Sequence, residues 1–101
     1  MTPIHVSDLA ERDLDEIWRY IAKRSHSVEI ADGVVDSITE VFPLFVQSPE
    51  AGTRRDEIDP GVRGFPVGKY IIYYRETGQQ IVIARVIHGM RHQKSAFLDR
   101  D

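Results

Sequence analysis

The residues that could do chemistry lie in the second half of the chain. Histidine is the side chain whose ordinary pKa lies near neutrality, so either His88 or His92 could serve as a general acid or base. Three tyrosines could donate a proton or stack on a nucleobase, namely Tyr70, Tyr73 and Tyr74. Three arginines could hold phosphate, namely Arg63, Arg85 and Arg91. A base, an acid and cations that meet crowded negative charge are what RNA cleavage at a 2′-hydroxyl would need.

These residues also have structural interpretations. A histidine at the end of a strand, such as His88, is commonly a hydrogen-bonding residue of the fold. Because the tyrosines alternate through one strand, at least one of them is expected in the core. Arg85 lies among apolar residues, where it could face a ligand or pair with a carboxylate such as Asp56 or Glu57. No metal site is predicted, because Gly89 argues against one continuous helix that carries both histidines.

Three consecutive antiparallel strands are predicted to position these groups, at residues 62–67, 69–75 and 80–88. Gly68 and the segment 76–79 are the predicted turns, since glycine tolerates the positive φ of tight hairpins. The last strand is apolar on both faces, which is typical of a central strand. We expect one face to carry Ile81, Ile83 and Ile87, and the other to carry Val82, Ala84 and Val86.

Two amphipathic helices are predicted before these strands. The first begins at Ser7 or Asp8, where Asp8 and Glu11 have the spacing of a capping box, and it ends near Arg24. Its apolar face comprises Leu14, Ile17, Trp18 and Ile21. The second begins near Val28, and its apolar positions are Ile30, Val34, Ile38, Val41 and Phe45. Pro43 lacks an N–H, so it predicts a kink or an early stop near Phe42.

A short strand at residues 2–6 and a polar loop at residues 48–61 complete the order. In the loop, Arg54-Arg55 stands beside Asp56-Glu57, which is typical of a self-paired, solvated segment. The predicted fold is α+β with the order β-α-α-β-β-β, in which a helical hairpin packs on one face of a small, mostly antiparallel sheet. We expect the opposite face to carry the surplus cations of the strands.

Length and composition predict a single globular domain over residues 1–101. The chain is 42% hydrophobic and 29% charged, and it has no cysteine, which excludes disulfides and thiol chemistry. No apolar run approaches the roughly 20 residues that span a bilayer, and residues 1–13 lack the order of a signal peptide. These features predict a cytoplasmic protein without a membrane partner, and no cofactor is predicted.

Charge is divided unevenly along the chain. Residues 62–94 hold six cations and one anion, whereas residues 1–50 hold four cations and ten anions. The net charge of −3 conceals this division. A basic region on a small domain suggests an anionic partner on one side.

Several strings in this sequence resemble the ParE branch of the RelE/ParE toxin superfamily. They are the P-x-x-G loop (Pro49, Gly52), the string R-x-F-P-V-G-x-Y at residues 63–70, the string R-V-I-H-G at residues 85–89, and DLDEIWRYIAKRS in the first helix. The resemblance covers roughly residues 5–95 in the right order and spacing. It implies the same β-α-α-β-β-β fold and a toxin of a bacterial type II toxin–antitoxin pair. Pro43 departs from the family, which usually has an unbroken second helix.

The resemblance leaves two activities open, because one fold serves both. RelE-like members are ribosome-dependent mRNA endonucleases, and ParE-like members inhibit DNA gyrase without breaking bonds. We favour gyrase inhibition, because the chain is acidic overall and lacks a clear His-Tyr or Arg-Tyr ending after Gly89. A non-toxic interaction module is a third interpretation.

Each activity assigns its own set of residues. The basic strands and their ends would contact the target through Arg63, Lys69, Arg85, His88 and Arg91. An endonuclease would use His88, Arg85, Arg63 and Tyr70. In the first case the partner is gyrase, and in the second it is the ribosome with its mRNA.

The resemblance also implies a tightly bound antitoxin, ParD-like or similar, in a toxin–antitoxin hetero-oligomer. A small core and uneven charge suit a partner that folds as it binds. We expect its apolar anchors in grooves between helices and sheet, with its acids near Arg63, Arg75 and Arg85.

Overall fold

The computed structural model describes residues 3–99. Its elements follow in the order β1 (Ile4–Val6), α1 (Asp8–Ser25), α2 (Val28–Thr39), α3 (Phe42–Gln47), β2 (Thr53–Arg54), β3 (Arg63–Val67), β4 (Tyr70–Thr77), β5 (Gln80–His88) and α4 (Gln93–Leu98). The predicted order is confirmed, with the short elements α3, β2 and α4 added to it. Residue 2 of the predicted first strand lies outside the described residues.

The strands form one mixed sheet in the order β1-β5-β4-β3-β2. β1 runs parallel to β5, and the other neighbouring pairs are antiparallel, as the sequence predicts for β3, β4 and β5. Gly68 and Gly78 have positive φ, so both predicted turns contain a glycine in the left-handed region. β4 continues to Thr77, which makes the second turn shorter than the predicted segment 76–79. The predicted α+β fold class is therefore confirmed.

A β-bulge interrupts the pairing of β4 with β5. Tyr73 lies opposite Arg85 and Tyr74 lies opposite Ile83, so Ala84 has no partner across the ladder. An extra residue on one strand shifts the alternation of its side chains by one position.

The bulge corrects the predicted faces of β5. Ile81, Ile83 and Val86 all pack in the core beneath the helices, whereas Ile87 packs on the opposite face of the sheet. The expectation that Ile87 shares a face with Ile81 and Ile83 is wrong, because strict alternation along β5 ends at the bulge.

The N-cap of the first helix is Ser7, one residue before the Asp8 that the capping-box pattern suggests. The Ser7 side chain accepts a hydrogen bond from the backbone N–H of Ala10, so Ser7 is the N-cap and the Asp8–Glu11 box is not formed. Trp18 is half-buried, and its indole N–H donates to Asp32 of α2 at 2.7 Å. It thus ties the two helices together at their surface and is not the core residue that the apolar spacing predicted.

Pro43 separates the second helix into two pieces. α2 ends at Thr39, and Pro43 occupies the first turn of α3, where its missing N–H is not needed. The predicted early stop is confirmed. Ile30, which was expected on the buried face of this helix, is 53% exposed.

The sheet has a core on each face. The front core lies between the helices and the sheet, and its largest members include Ile38, Phe45, Ile72, Tyr74 and Ile83. The back core is formed by Ile58, Val62, Tyr73, Ile87 and Ala96, with Phe97 packed against it. The loop after β2 and helix α4 cover the back of the sheet, so the face that was expected to carry the surplus cations carries an apolar core.

The P-x-x-G loop is anchored by Tyr74. The Tyr74 hydroxyl donates to the Pro49 carbonyl at 2.8 Å and accepts from the Gly52 N–H at 2.7 Å. A Cβ on Gly52 would lie 2.8 Å from Tyr74 Cε1 and 2.9 Å from the Gly64 carbonyl oxygen, so only glycine fits this approach.

Within residues 3–99, no helix is long and apolar enough to cross a membrane.

Candidate target-binding and antitoxin-binding site

A groove of about 520 Å³ opens between α1 and the end of the sheet where β4 begins and β5 ends. Its buried lining residues are Asp13, Ile17, Tyr70 and Val86. The more exposed lining residues are Glu16 and Tyr20 of α1, His88 at the end of β5 and Arg91 in the turn that follows. The groove therefore has an apolar interior, with negative charge on the side of α1 and positive charge beyond β5.

Two turns meet beside this groove. The Gly89 N–H, in the turn after β5, donates to the Lys69 carbonyl, in the turn before β4, at 2.8 Å. Lys69, Met90 and Arg91 are all exposed here and are hereafter the basic tip. The Met90 N–H donates to His88 Nδ1 at 3.0 Å, which fixes the turn against the last residue of β5.

Tyr70 and His88 are the only predicted acid–base candidates that the structure pairs within residues 3–99. They lie opposite each other in the ladder, with ring centroids 5.3 Å apart in an edge-to-face arrangement. Burial raises the pKa of Tyr70 above its usual range, so its hydroxyl stays protonated at neutral pH. Because His88 Nδ1 accepts from Met90, the neutral ring carries its proton on Nε2. Tyr70 could donate its phenolic proton in the groove, and the Nε2–H of His88 could donate a hydrogen bond there.

Arg85 belongs to the interior and not to the exposed surface. Its guanidinium forms a two-pronged pair with Asp13 of α1, with Nε–Oδ2 at 2.8 Å and Nη2–Oδ1 at 2.9 Å. Its remaining nitrogen, Nη1, donates to the carbonyls of Ala96, Phe97 and Asp99. Arg85 is 6% exposed, so it joins α1, β5 and α4. The carboxylate that pairs with it is Asp13 and not the predicted Asp56 or Glu57.

Arg63 and Arg75 also lie away from the groove. Arg63 donates to the Gly52 carbonyl at 2.9 Å and stands opposite Tyr74, four residues along β4 from Tyr70. That separation is roughly 13 Å along the strand. Arg75 pairs with Asp59 beside the back of the sheet. Arg75 and Arg85 were expected to pair with acids of an antitoxin. Both arginines already have carboxylate partners within this chain.

The structure therefore divides both predicted residue sets. Of the target-binding group, Lys69, His88 and Arg91 gather at one end, while Arg63 lies elsewhere and Arg85 is buried. Of the endonuclease group, only Tyr70 and His88 are adjacent. Among residues 3–99, no cluster of three or more His, Cys, Asp and Glu side chains is placed to hold a metal ion.

Sequence reasoning missed Asp13 and Met90. Asp13 follows Ala10 by three residues and precedes Ile17 by four, so it lies within the buried stripe of α1. Arg85 lies within the apolar strand β5. One charge in each of two apolar patterns was a signal that the two could pair. Met90 gave no such signal, because the spacing of residues in a sequence does not indicate whether a turn residue is exposed.

Comparison with known proteins gives a consistent result. A family model described as the ParE toxin of the type II toxin–antitoxin system parDE matches residues 4–93. Toxin ParE3 of Caulobacter vibrioides is 31% identical over 77 residues, which is 76% of each chain. Toxin ParE1 of the same organism is 30% identical over 88 residues, or 87% of this chain and 90% of ParE1. A solved structure of the chromosomal ParDE toxin–antitoxin system from P. aeruginosa matches with a TM-score of 0.74 and 26% identity, covering 87% of this chain and 96% of that one.

Proposed function

Because the chain belongs to the ParE toxin family of type II toxin–antitoxin systems, we propose that it arrests growth by inhibiting DNA gyrase and that a ParD-like antitoxin neutralises it. The observation that carries the gyrase proposal is the division of the charged residues. The exposed Lys69 and Arg91 lie at one end of the sheet beside the half-buried His88, whereas the groups needed to break a phosphodiester are not assembled around one point.

Electrostatics favour binding over RNA cleavage at this end. The side of the groove nearest α1 carries the exposed Glu16, which would repel a phosphate backbone that entered the groove, whereas the charge of Asp13 is offset by Arg85. The exposed Arg91 lines the groove and the exposed Lys69 lies on the adjoining turn, so both cations can meet acids on a protein surface. Arg85, which an endonuclease would use to hold phosphate, has its nitrogens engaged in the interior.

The groove supports the antitoxin part of the proposal. Its apolar interior suits side chains of an extended or helical segment, and its two oppositely charged sides would fix the direction of that segment. An antitoxin in the groove would contact His88 and Arg91, and it would therefore compete with the target for the same end of the toxin. Neutralisation would then need no change in the fold of the toxin.

Ribosome-dependent mRNA cleavage is the second candidate, and the Tyr70–His88 pair favours it. Two titratable rings 5.3 Å apart in one groove could act as proton donors. In that case Tyr70→Phe alone would abolish toxicity, whereas a gyrase inhibitor would keep its activity in the same variant.

The deciding experiment induces the chain in a bacterium without its antitoxin and pulse-labels DNA, RNA and protein synthesis in parallel. We expect DNA synthesis to fail first, and purified protein to inhibit supercoiling by gyrase. The Lys69→Ala/Arg91→Ala variant should lose both effects while it keeps its circular dichroism spectrum. The control variant Arg54→Ala/Arg55→Ala removes the same charge from the end of β2 and the residue after it, and it should stay toxic.

Other outcomes would replace the proposal. Early failure of protein synthesis would favour mRNA cleavage. Growth without any arrest would favour a non-toxic interaction module.

A further inference from the structure

Met90 is the most exposed large hydrophobic residue among residues 3–99. Its side chain is 88% exposed, whereas the other exposed large hydrophobic residues range from 37% to 56%. A scattered exposed apolar residue is ordinary on a protein surface. Met90 differs from the others in its degree of exposure, in the rigidity of its turn and in the charge of its neighbours.

The turn that presents Met90 is held by hydrogen bonds at each of its residues. The Met90 N–H donates to His88 Nδ1 at 3.0 Å, and the Arg91 N–H donates to the His88 carbonyl at 3.1 Å. The Gln93 side chain donates to the His88 and Arg91 carbonyls, and the Gly89 N–H reaches Lys69 on the neighbouring turn. A side chain on a fixed turn loses less entropy on binding than one on a free loop.

The charge around Met90 has one sign along the chain. From residue 77 to residue 98 the sequence has no Asp or Glu, and from residue 60 to residue 75 it has none. Lys69, Arg91 and Lys94 are exposed in these segments. The carboxylates near Arg91 come from elsewhere, from Asp13 and Glu16 in the groove and from Asp99 at 3.8 Å. The exposed cations nearest to Met90 are therefore Arg91, its neighbour in the chain, and Lys69, on the turn that is hydrogen-bonded to Gly89.

We propose that Met90 is the apolar anchor of target binding, and that the target offers an acidic protein surface with a small apolar pocket at its centre. A buried anchor encircled by charged contacts is the usual anatomy of a protein interface. A nucleic acid would use the cations through its phosphates and would gain little from a thioether, so the apolar centre favours a protein. The proposal rests on the proposed function and adds to it the residue that enters the target and the chemistry of the surface that receives it.

Substitutions at Met90 separate apolar anchoring from shape and charge. Met90→Gln keeps the length of the side chain but not its apolar character, and Met90→Leu keeps the apolar character. Leu44→Gln is the matched control, because Leu44 is a 38% exposed apolar residue on α3, beside the end of β4 that carries Tyr74. Circular dichroism and thermal melting check that all three variants fold. We expect them to fold because Met90 and Leu44 are both exposed.

We expect Met90→Gln to need roughly 10- to 100-fold more protein than the parent for half-inhibition of supercoiling, as loss of one buried apolar side chain implies. Met90→Leu and Leu44→Gln should stay within about threefold of the parent. In cells, induced Met90→Gln should permit growth at expression levels at which the parent arrests it.

Three results sort this proposal from the one on which it rests. If Met90→Gln inhibits as well as the parent while Lys69→Ala/Arg91→Ala does not, the anchor is refuted and a purely charged contact, such as one with nucleic acid, is favoured. If the parent arrests growth without inhibiting gyrase and Met90→Gln still relieves the arrest, the anchor stands and gyrase is the wrong target. If the parent does not arrest growth, both proposals fail.

Discussion

The protein contains the same chemical pair, an arginine with a carboxylate, in two very different surroundings. Arg85 and Asp13 meet inside the molecule, 72 positions apart in the sequence, with side chains 7% and 9% exposed. Arg54–Asp56 and Arg55–Glu57 meet at the end of β2 and in the loop after it, with each pair's partners two positions apart and in contact with solvent. The comparison distinguishes a charge pair that joins two secondary-structure elements from charge pairs whose partners are neighbours on the surface.

Burial decides what each pair contributes. In solvent the attraction between the partners is screened, and exposed pairs contribute about 0–1 kcal/mol. In the interior each partner is costly to leave alone, because a buried charge without its counter-ion has lost its hydration. Asp13 also accepts from the Val86 N–H at 2.9 Å, so its carboxylate serves an edge of β5 that β1 does not reach.

The largest expected effect is that of breaking the interior pair. Arg85→Met should lower the free energy of unfolding by about 3–5 kcal/mol, because it leaves Asp13 buried without a counter-ion. It also removes the donor to the last carbonyls of α4. Urea unfolding followed by circular dichroism measures the change.

Arg91→Met is the matched control for this variant. Arg91 has a side chain 52% exposed and a carboxylate oxygen of Asp99 at 3.8 Å, so its loss should change stability by no more than about 1 kcal/mol. If the two variants have equal stability, the interior pair contributes no more than a surface pair and the comparison fails.

A double substitution sharpens the same point with a smaller effect. Asp13→Leu/Arg85→Met removes both charges, and it should be less destabilised than the sum of its single variants by about 0.5–3 kcal/mol. It should still be less stable than the parent, because the Val86 N–H loses its acceptor at a cost of about 1–3 kcal/mol. Equality of the double variant with the sum would mean that the two charges act independently.

The interior pair and the loop pairs also show how far the sequence predicts this structure. The loop pairs were predicted because their partners are neighbours in the chain, and both are present. The strands, turns and the break at Pro43 were predicted because periodicity and backbone chemistry are local properties. The partner of Arg85 depends on how α1 lies against β5, which no local pattern states.

The bulge at Ala84 had the same kind of consequence for the candidate site. Strict alternation would have placed Val86 and Ile87 on the wrong faces, and Val86 is one of the residues that line the groove. Among the basic residues, likewise, the apolar neighbours of Arg85 hinted that it is buried, but the sequence did not identify its partner. Exposure is a property of the packed molecule, so only the structure shows that Arg85 forms the interior pair with Asp13 while Arg91 belongs to the basic tip.

The smallest expected effect comes from acid titration of the loop pairs. The pKa of Asp56 is lowered chiefly by the N–H of Gly61 and by Arg54, and that of Glu57 is lowered chiefly by Arg55. A carboxylate with a lowered pKa in the folded state stabilises the fold above its unfolded pKa, here near 3.8 and 4.5, and that stabilisation is lost as pH falls through the folded value. Asp56→Asn/Glu57→Gln should therefore be slightly less stable than the parent at pH 7 and no less stable at pH 3.

Urea midpoints of the parent and this variant at the two pH values test the expectation. Because both carboxylates are exposed, the difference at pH 7 should be far smaller than that between the parent and Arg85→Met. A larger difference at pH 3 than at pH 7 would contradict the sign. A difference at pH 7 as large as that of Arg85→Met would mean that the loop, and not only the interior pair, holds the back core together, since this loop carries Ile58 and Val62 into it.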